Sequence, residues 1–280
     1  MSRHAYATIE QLCDPGYLGT GPKDQGYTTT LFRMLESASE EIDHTCLGRH
    51  YHCLEGTYYF DGSGRMFIPS DDILSISAFA LDIDGDGTFE STLAATEYNM
   101  YPLNEYPKIY LKMAMNSSQG GFASGISSGV KITGVFGHGD GQSATPYYDS
   151  GITATAATAI ATSLALSAEG TIQQGHTIRV ESEQMYVTAV TSNGGKTATV
   201  IRGVNGTTAA AHAAKAVSIY TYPGPVTEAT LILATAWWKQ RENPATFMAG
   251  NNVTGTYSIS KDIEGIIKGK LDHHIKKKLI

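Results

Sequence analysis

Apolar residues recur at intervals of three and four from Leu31 through Leu35, Ala38 and Ile42 to Cys46, while Glu36, Glu40, Glu41 and Asp43 fill the other faces. One stripe of this kind is the pattern of an amphipathic helix. It predicts a helix over 28–49, with Thr28 to Thr30 available to cap its start and Gly48 placed where it stops. A shorter helix is predicted around 8–13, before turns at Asp14-Pro15-Gly16 and Gly19-Thr20-Gly21-Pro22.

From Glu55 the period shortens to two. Thr57 to Phe60, the turn Asp61-Gly62-Ser63-Gly64, and Arg65 to Ile68 read as a hairpin. Further strands are predicted over 73–81, 88–93, 108–113 and 130–136, with a Gly- and Ser-rich loop over 116–129.

Near Ser150 the character changes again, to Thr, Ala, Val and Gly without helical period. Thr177 to Glu181, Met185 to Val190, Thr197 to Ile201 and Val217 to Tyr222 read as strands of a small barrel or sandwich. Helix then resumes. Pro225 suits a first turn, where its missing N–H costs nothing, and Val226, Ala229, Leu233, Ala236 and Trp237 form a stripe ending near Asn243-Pro244. Gly250 to Tyr257 reads as a link to a last helix from Ser260. There Ile263, Ile266, Ile267, Leu271 and Ile275 make a narrow seam beside Lys268 and Lys270, ending in Lys276, Lys277 and Lys278. Positive charge suits a helix C-terminus, and an isoleucine seam far from the core reads as a docking element.

These patterns predict an α+β fold: a helical core with β-hairpins, interrupted by an inserted small all-β module. The predicted domains are 1–149 with 222–257 as the core, 150–221 as the module, and 258–280 as a C-terminal docking helix. Insertion is tolerated where the ends of a surface loop lie close together.

Composition narrows the class. With 41% hydrophobic and 17% charged residues in 280, the chain has the balance of a folded globular protein. Its most apolar run, Ala229 to Trp238, is half the ~20 residues of a membrane-spanning helix, and residues 1–10 lack the apolar segment of a signal peptide. Three cysteines, Cys13, Cys46 and Cys53, argue for a reducing cytoplasm rather than a disulfide scaffold. Charge is uneven. Residues 1–149 carry 8 Lys+Arg against 19 Asp+Glu, 150–222 carry 4 against 3, and 223–280 carry 8 against 5. A protein that coats DNA would show a broad basic surface instead.

Candidate chemistry is sparse. Asp82-x-Asp84-x-Asp86-Gly87 resembles the opening of a calcium loop, with Glu90 in reach, but Leu93 stands where the bidentate Glu belongs. A polar hairpin turn is the preferred reading, with calcium on Asp82, Asp84, Asp86 and Glu90 the lesser one. His44, Cys46, His50, His52 and Cys53 are crowded but lack paired zinc spacing, so a helix end with incidental ligands is preferred. GxSxG, HExxH and GxxxxGK[ST] are missing, and Gly137-His138-Gly139-Asp140-Gly141-Gln142 fails the dinucleotide pattern at Gln142. No enzyme, metal or cofactor is expected.

Several stretches together resemble the head–tail connector (adaptor) proteins of long-tailed bacteriophages and gene-transfer particles. They are Tyr6 to Leu12, Glu41 to Tyr51, Tyr59-Phe60-Asp61-Gly62, Ile68-Pro69 with Ile73-Leu74-Ser75, Leu81 to Thr88, Tyr101 to Asn104, Gly129 to Gly137 and Pro225 to Lys239. Their order, over most of 5–245, carries the resemblance. The module itself resembles one found in other phage virion proteins, through Glu183-Gln184-Met185-Tyr186-Val187-Thr188, Arg202-Gly203-Val204-Asn205-Gly206-Thr207-Thr208 and His212. The resemblance implies a virion structural protein in the neck of the particle, assembled in the host cytoplasm. It implies a ring of twelve subunits beneath the portal, with a stopper or tail terminator on the tail side and genomic DNA passing through without sequence-specific binding. The C-terminal arm would reach the portal, giving Ile263, Ile266, Ile267, Leu271, Ile275 and Lys276 to Lys278 a docking role. An acidic host would keep the genome from sticking. Two other readings stand beside it: another neck or tail protein (a tail terminator or minor capsid component), and a glycan-binding or cell-wall-active protein.

Overall fold

The computed structural model describes residues 4–138, 145–191, 196–242 and 259–276. In chain order the elements are α1 (Ile9–Leu12), α2 (Gly21–Asp24), α3 (Thr28–Thr45), β1 (Leu54–Phe60), β2 (Phe67–Leu81), β3 (Ser91–Thr92), β4 (Tyr98–Tyr101), β5 (Lys108–Met113) and β6 (Val130–Phe136). They continue with β7 (Tyr147–Ala154), β8 (Ser163–Ala165), β9 (Thr177–Val180), β10 (Glu183–Thr191), β11 (Thr197–Ile201), β12 (Lys215–Tyr220), α4 (Gly224–Glu242) and α5 (Ile259–Leu271). No described helix is long and apolar enough to cross a membrane. The described residues divide into two compact units, one from 4–49 with those within 147–276, the other from those within 50–146.

The fold class differs from the expected helical core with hairpins. Among the described residues strand outweighs helix, 33% against 23%, and the strands form two antiparallel six-stranded sheets. The reason lies in 50–146. Its alternating segments do not decorate a helical core; they build a sheet with its own apolar face.

That sheet runs β1-β6-β2-β5-β4, with β3 added on β2. In β6 every second residue is buried, as the pleat requires, so Val130, Ile132 and Phe136 enter a core with Ile73, Phe79, Leu111 and Phe122. The 15-residue β2 changes partner along its length. Phe67 to Pro69 pair with Lys112 to Tyr110 of β5, and Ile73 to Leu81 pair with Phe136 to Val130 of β6, with irregularities between. Pro69, which has no N–H to give, sits beside one of these bulges. Gly134 is required where β2 crosses β6, because a Cβ there would lie 2.1 Å from the Ser75 carbonyl oxygen.

The expected hairpin of 57–60 with 65–68 does not form, since β6 lies between β1 and β2. The intervening turn bonds elsewhere. Gly62 N–H donates to Ile126 O, and the Asp61 carboxylate accepts from Ser128 N–H. A four-residue Gly/Ser segment anchored outward in this way cannot close a tight two-stranded turn.

In the other unit, β7-β12-β9-β10-β11-β8 form the second sheet. It closes on itself: Thr155 N–H donates to Ala165 O and Ser167 N–H to Thr153 O, both at 2.9 Å, around a bridge between Ala154 and Leu166. A closed barrel has no exposed sheet edge. Ile152, Leu164, Ile178, Met185, Val200 and Val217 fill its interior.

The helices of this unit pack in series, α3 on α4 and α4 on α5. Being central, α4 is apolar nearly all round, and Trp238 rather than Trp237 is its buried tryptophan. Helix α3 stops at Thr45, and Gly48 closes it in the left-handed region, donating to Asp43 O. The barrel shares the unit with these helices: Phe32 of α3 stacks on Tyr186 of β10 at 5.9 Å, and Ile9 N–H reaches Gln174 O. Cys13, Cys46 and Cys53 are all buried, with no disulfide among the described residues.

Candidate functional site

Two glutamates, an arginine, a lysine and a histidine converge at one end of the barrel. Glu183 opens β10 and is fully buried. Arg202, just past β11, meets it edge to edge, with Nε to Oε1 at 2.6 Å and Nη2 to Oε2 at 2.7 Å. The backbone N–H groups of Gly203 and Ala210 also donate to Glu183, each at 3.0 Å, and His212 Nε2 lies 2.7 Å away. Burial alone would raise this carboxyl. The bonds from Arg202, Ala210, His212 and Gly203 outweigh burial and hold its pKa down at about 2.

Arg202 has five N–H donors, and all five are engaged. Besides the two to Glu183, Nη1 donates to Thr158 O at 2.8 Å and Ala161 O at 2.9 Å, and Nη2 to Ala210 O at 2.6 Å. Its guanidinium therefore joins the β7–β8 connection, the β11–β12 connection and β10. Beside it, Asn205 Nδ2 donates to Gln184 Oε1, and Gln184 N–H donates to Thr207 Oγ1. Gly203 and Asn205 adopt positive φ, which glycine and asparagine tolerate best. On the far side His212 Nδ1 lies 2.7 Å from Glu181, and Lys215 Nζ 3.2 Å from the same carboxylate. Hydrogen bonds from His212 and then Lys215 hold the Glu181 carboxyl below its usual range.

This arrangement is a brace. Acid–base or nucleophilic chemistry needs a group that reaches a substrate, and here the guanidinium and the Glu183 carboxylate are saturated from within the fold. The sequence showed Glu183, Arg202 and His212 only as parts of a resemblance, not as partners. A signal was present: the module holds four basic and three acidic residues in all, and Glu181, Glu183, Arg202 and Lys215 are four of those seven.

The acidic turn is drawn together as the spacing suggests. Ligand oxygens of Asp82, Asp84, Asp86 and Glu90 lie within 4.8 Å of one another, the only such set among the described residues. Each carboxylate serves the turn's own backbone. Asp82 accepts from Gly85 and Gly87 N–H, Asp84 from Asp86, Asp86 from Thr88, and Glu90 from Ile83 at a long 3.3 Å.

The isoleucine seam of α5 is divided. Ile267 and Leu271 are buried where α5 packs on α4, Ile263 and Ile275 are half-buried, and Ile266 is 51% exposed. Lys270 lies 3.8 Å from Glu228 of α4, and Arg49 Nη1 donates to His274 O at 2.8 Å, so the helix is held against its own unit. Lys276 N–H points at Cys46 O at 3.4 Å; Lys277 and Lys278 lie outside the described residues.

A polar cleft of about 150 Å³ lies between the N-terminal segment and the barrel, lined by Tyr6, Gln11, Tyr148, His176, Tyr222 and Thr227 among others. Burial pushes the pKa of His176 down to about 4, leaving a neutral ring whose Nδ1 accepts from Gln173 N–H. No protein-family model matches the chain, and no curated protein matches it either.

Proposed function

We propose that this chain is a virion structural protein: a head–tail connector that forms a ring beneath the portal, joins capsid to tail and lines part of the DNA channel. One observation carries the reading beyond the resemblance itself. The residues that give the module its likeness to virion proteins, Glu183, Arg202 and His212, bond to one another and to the backbone of two connections, β7–β8 and β11–β12, at the barrel end. They act as internal bracing, the role expected in a component that transmits force. The acidic balance of residues 1–149 suits a conduit through which DNA slides. In this reading the partners are the portal, a stopper or tail terminator, and further copies of the chain.

A second reading is another neck or tail protein such as a tail terminator, since the strand-rich architecture departs from the helical core expected of a connector. Electron microscopy of the purified chain, alone and mixed with portal, separates them. A twelve-membered ring that joins the portal supports the connector, a hexameric ring that ignores the portal supports the terminator, and a chain monomeric throughout overturns both.

A further inference from the structure

His212 touches a carboxylate with each ring nitrogen, Nδ1 to Glu181 and Nε2 to Glu183, both at 2.7 Å. A neutral imidazole has one N–H and one lone pair, so it can donate to only one of them. The other nitrogen would then face an acceptor, which repels it. One escape would be a protonated carboxyl, and the surroundings remove it. Glu183 receives Arg202 and two backbone N–H groups, and Glu181 receives Lys215; donors stabilise the ionised form of both. The ring must therefore donate twice.

We propose that His212 is a protonation latch: as the imidazolium it pins the β11–β12 connection to the β9–β10 turn, and losing its proton releases that end of the barrel. The charged groups facing the ring are Glu181 from the β9–β10 turn, Glu183 from β10, Arg202 from the end of β11 and Lys215 from β12. Release occurs on the Glu181 side. Glu183 keeps its other donors when the ring becomes neutral, whereas Glu181 is 43% exposed and turns to water. The consequence spreads to the β7–β8 connection, because His212 and Ala157 exchange two backbone hydrogen bonds at 2.9 Å. Deprotonation is favoured by rising pH, so the latch loosens in that direction.

Hydrogen exchange of the full chain between pH 6 and 9, corrected for base-catalysed intrinsic exchange, reads the latch in peptides covering 155–162 and 203–213. Losing one charge-assisted bond should speed exchange there by roughly tenfold as pH rises. Glu181→Gln presents an amide that suits either ring state, so its exchange should stay flat across the range. Wild-type exchange that is equally flat overturns the latch, as does a Glu181→Gln chain that loosens to the same extent. An independent reading comes from the side-chain nitrogen resonances of His212, identified by their loss in His212→Asn. Two protonated ring nitrogens at pH 6 support the proposal, and a single one overturns it.

Discussion

Arg202 and Glu183 form a bidentate pair whose side chains are almost wholly withdrawn from water. Paired in this way, two planar groups fix their relative orientation as well as their distance. A buried pair is weak evidence of net stability, since desolvation cancels much of the attraction. Breaking it is another matter, because the survivor stays buried and charged. Arg202→Ala or Glu183→Ala should therefore destabilise the chain by about 3–5 kcal/mol, as measured by chemical denaturation. A cost below about 1 kcal/mol would show that the barrel end relaxes and admits water.

The same carboxylate predicts an acid response. Its folded pKa of about 2 lies below the ordinary value of 4.5. A depressed carboxyl contributes stability that is fully present above its unfolded value and lost as pH falls through the folded one. The stability gap between wild type and Glu183→Gln should thus narrow as pH falls from 4.5 towards 2. A gap that stays constant over this window would mean that the carboxylate is not held by charge.

Gly134 offers a test of the first sheet. Gly134→Ala would drive a methyl into the Ser75 carbonyl oxygen 2.1 Å away, whereas Gly56→Ala on β1 meets only Tyr58 at 3.7 Å. The first change should cost about 2 kcal/mol or more and the second less than about 1 kcal/mol. Equal effects in thermal melts would refute the close crossing of β2 and β6.

At the acidic turn, Asp82→Ala removes the acceptor for two backbone N–H groups and should cost about 1–2 kcal/mol. Asp84→Asn keeps an acceptor for Asp86 N–H and should stay within about 0.5 kcal/mol. Calcium should leave the melting temperature of either chain unchanged; a rise in the wild type alone would assign the turn an ion.

Helix and strand were legible wherever one period governed. Leu31 to Ile42 mark the buried face of α3, and the alternation in Val130 to Phe136 marks β6. Pairing was not legible. Nothing local says that Thr57 to Phe60 lies against β6 rather than 65–68, because that choice rests on the long-range register of Leu54 to Phe60 with Phe136 to Val130 and on the bonds made at Asp61 and Gly62. In α4 the periodic stripe named Trp237, yet Trp238 is the buried one, with Tyr27 at the start of α3 edge-on to its ring. The brace escaped for a related reason. Glu183, Arg202 and His212 lie up to 29 positions apart and meet only because β12, β9, β10 and β11 lie side by side in the sheet.

Under the proposed docking role, substitutions on the two faces of α5 separate folding from docking. Leu271 is fully buried, so Leu271→Ala should cost about 2–5 kcal/mol of stability. Ile266 points outward, so Ile266→Asp should leave the fold intact while weakening association with portal-bearing heads. Unimpaired joining by a folded Ile266→Asp chain would remove this face from the docking surface.

The central claim, that this chain is a connector in the neck of a phage-type particle, is tested most directly by imaging particles that carry a label on it. The account predicts density for the label in a ring between portal and tail, with heads that fail to join tails when the chain is absent. Label on the capsid surface or along the tail shaft, or normal joining without the chain, would contradict it.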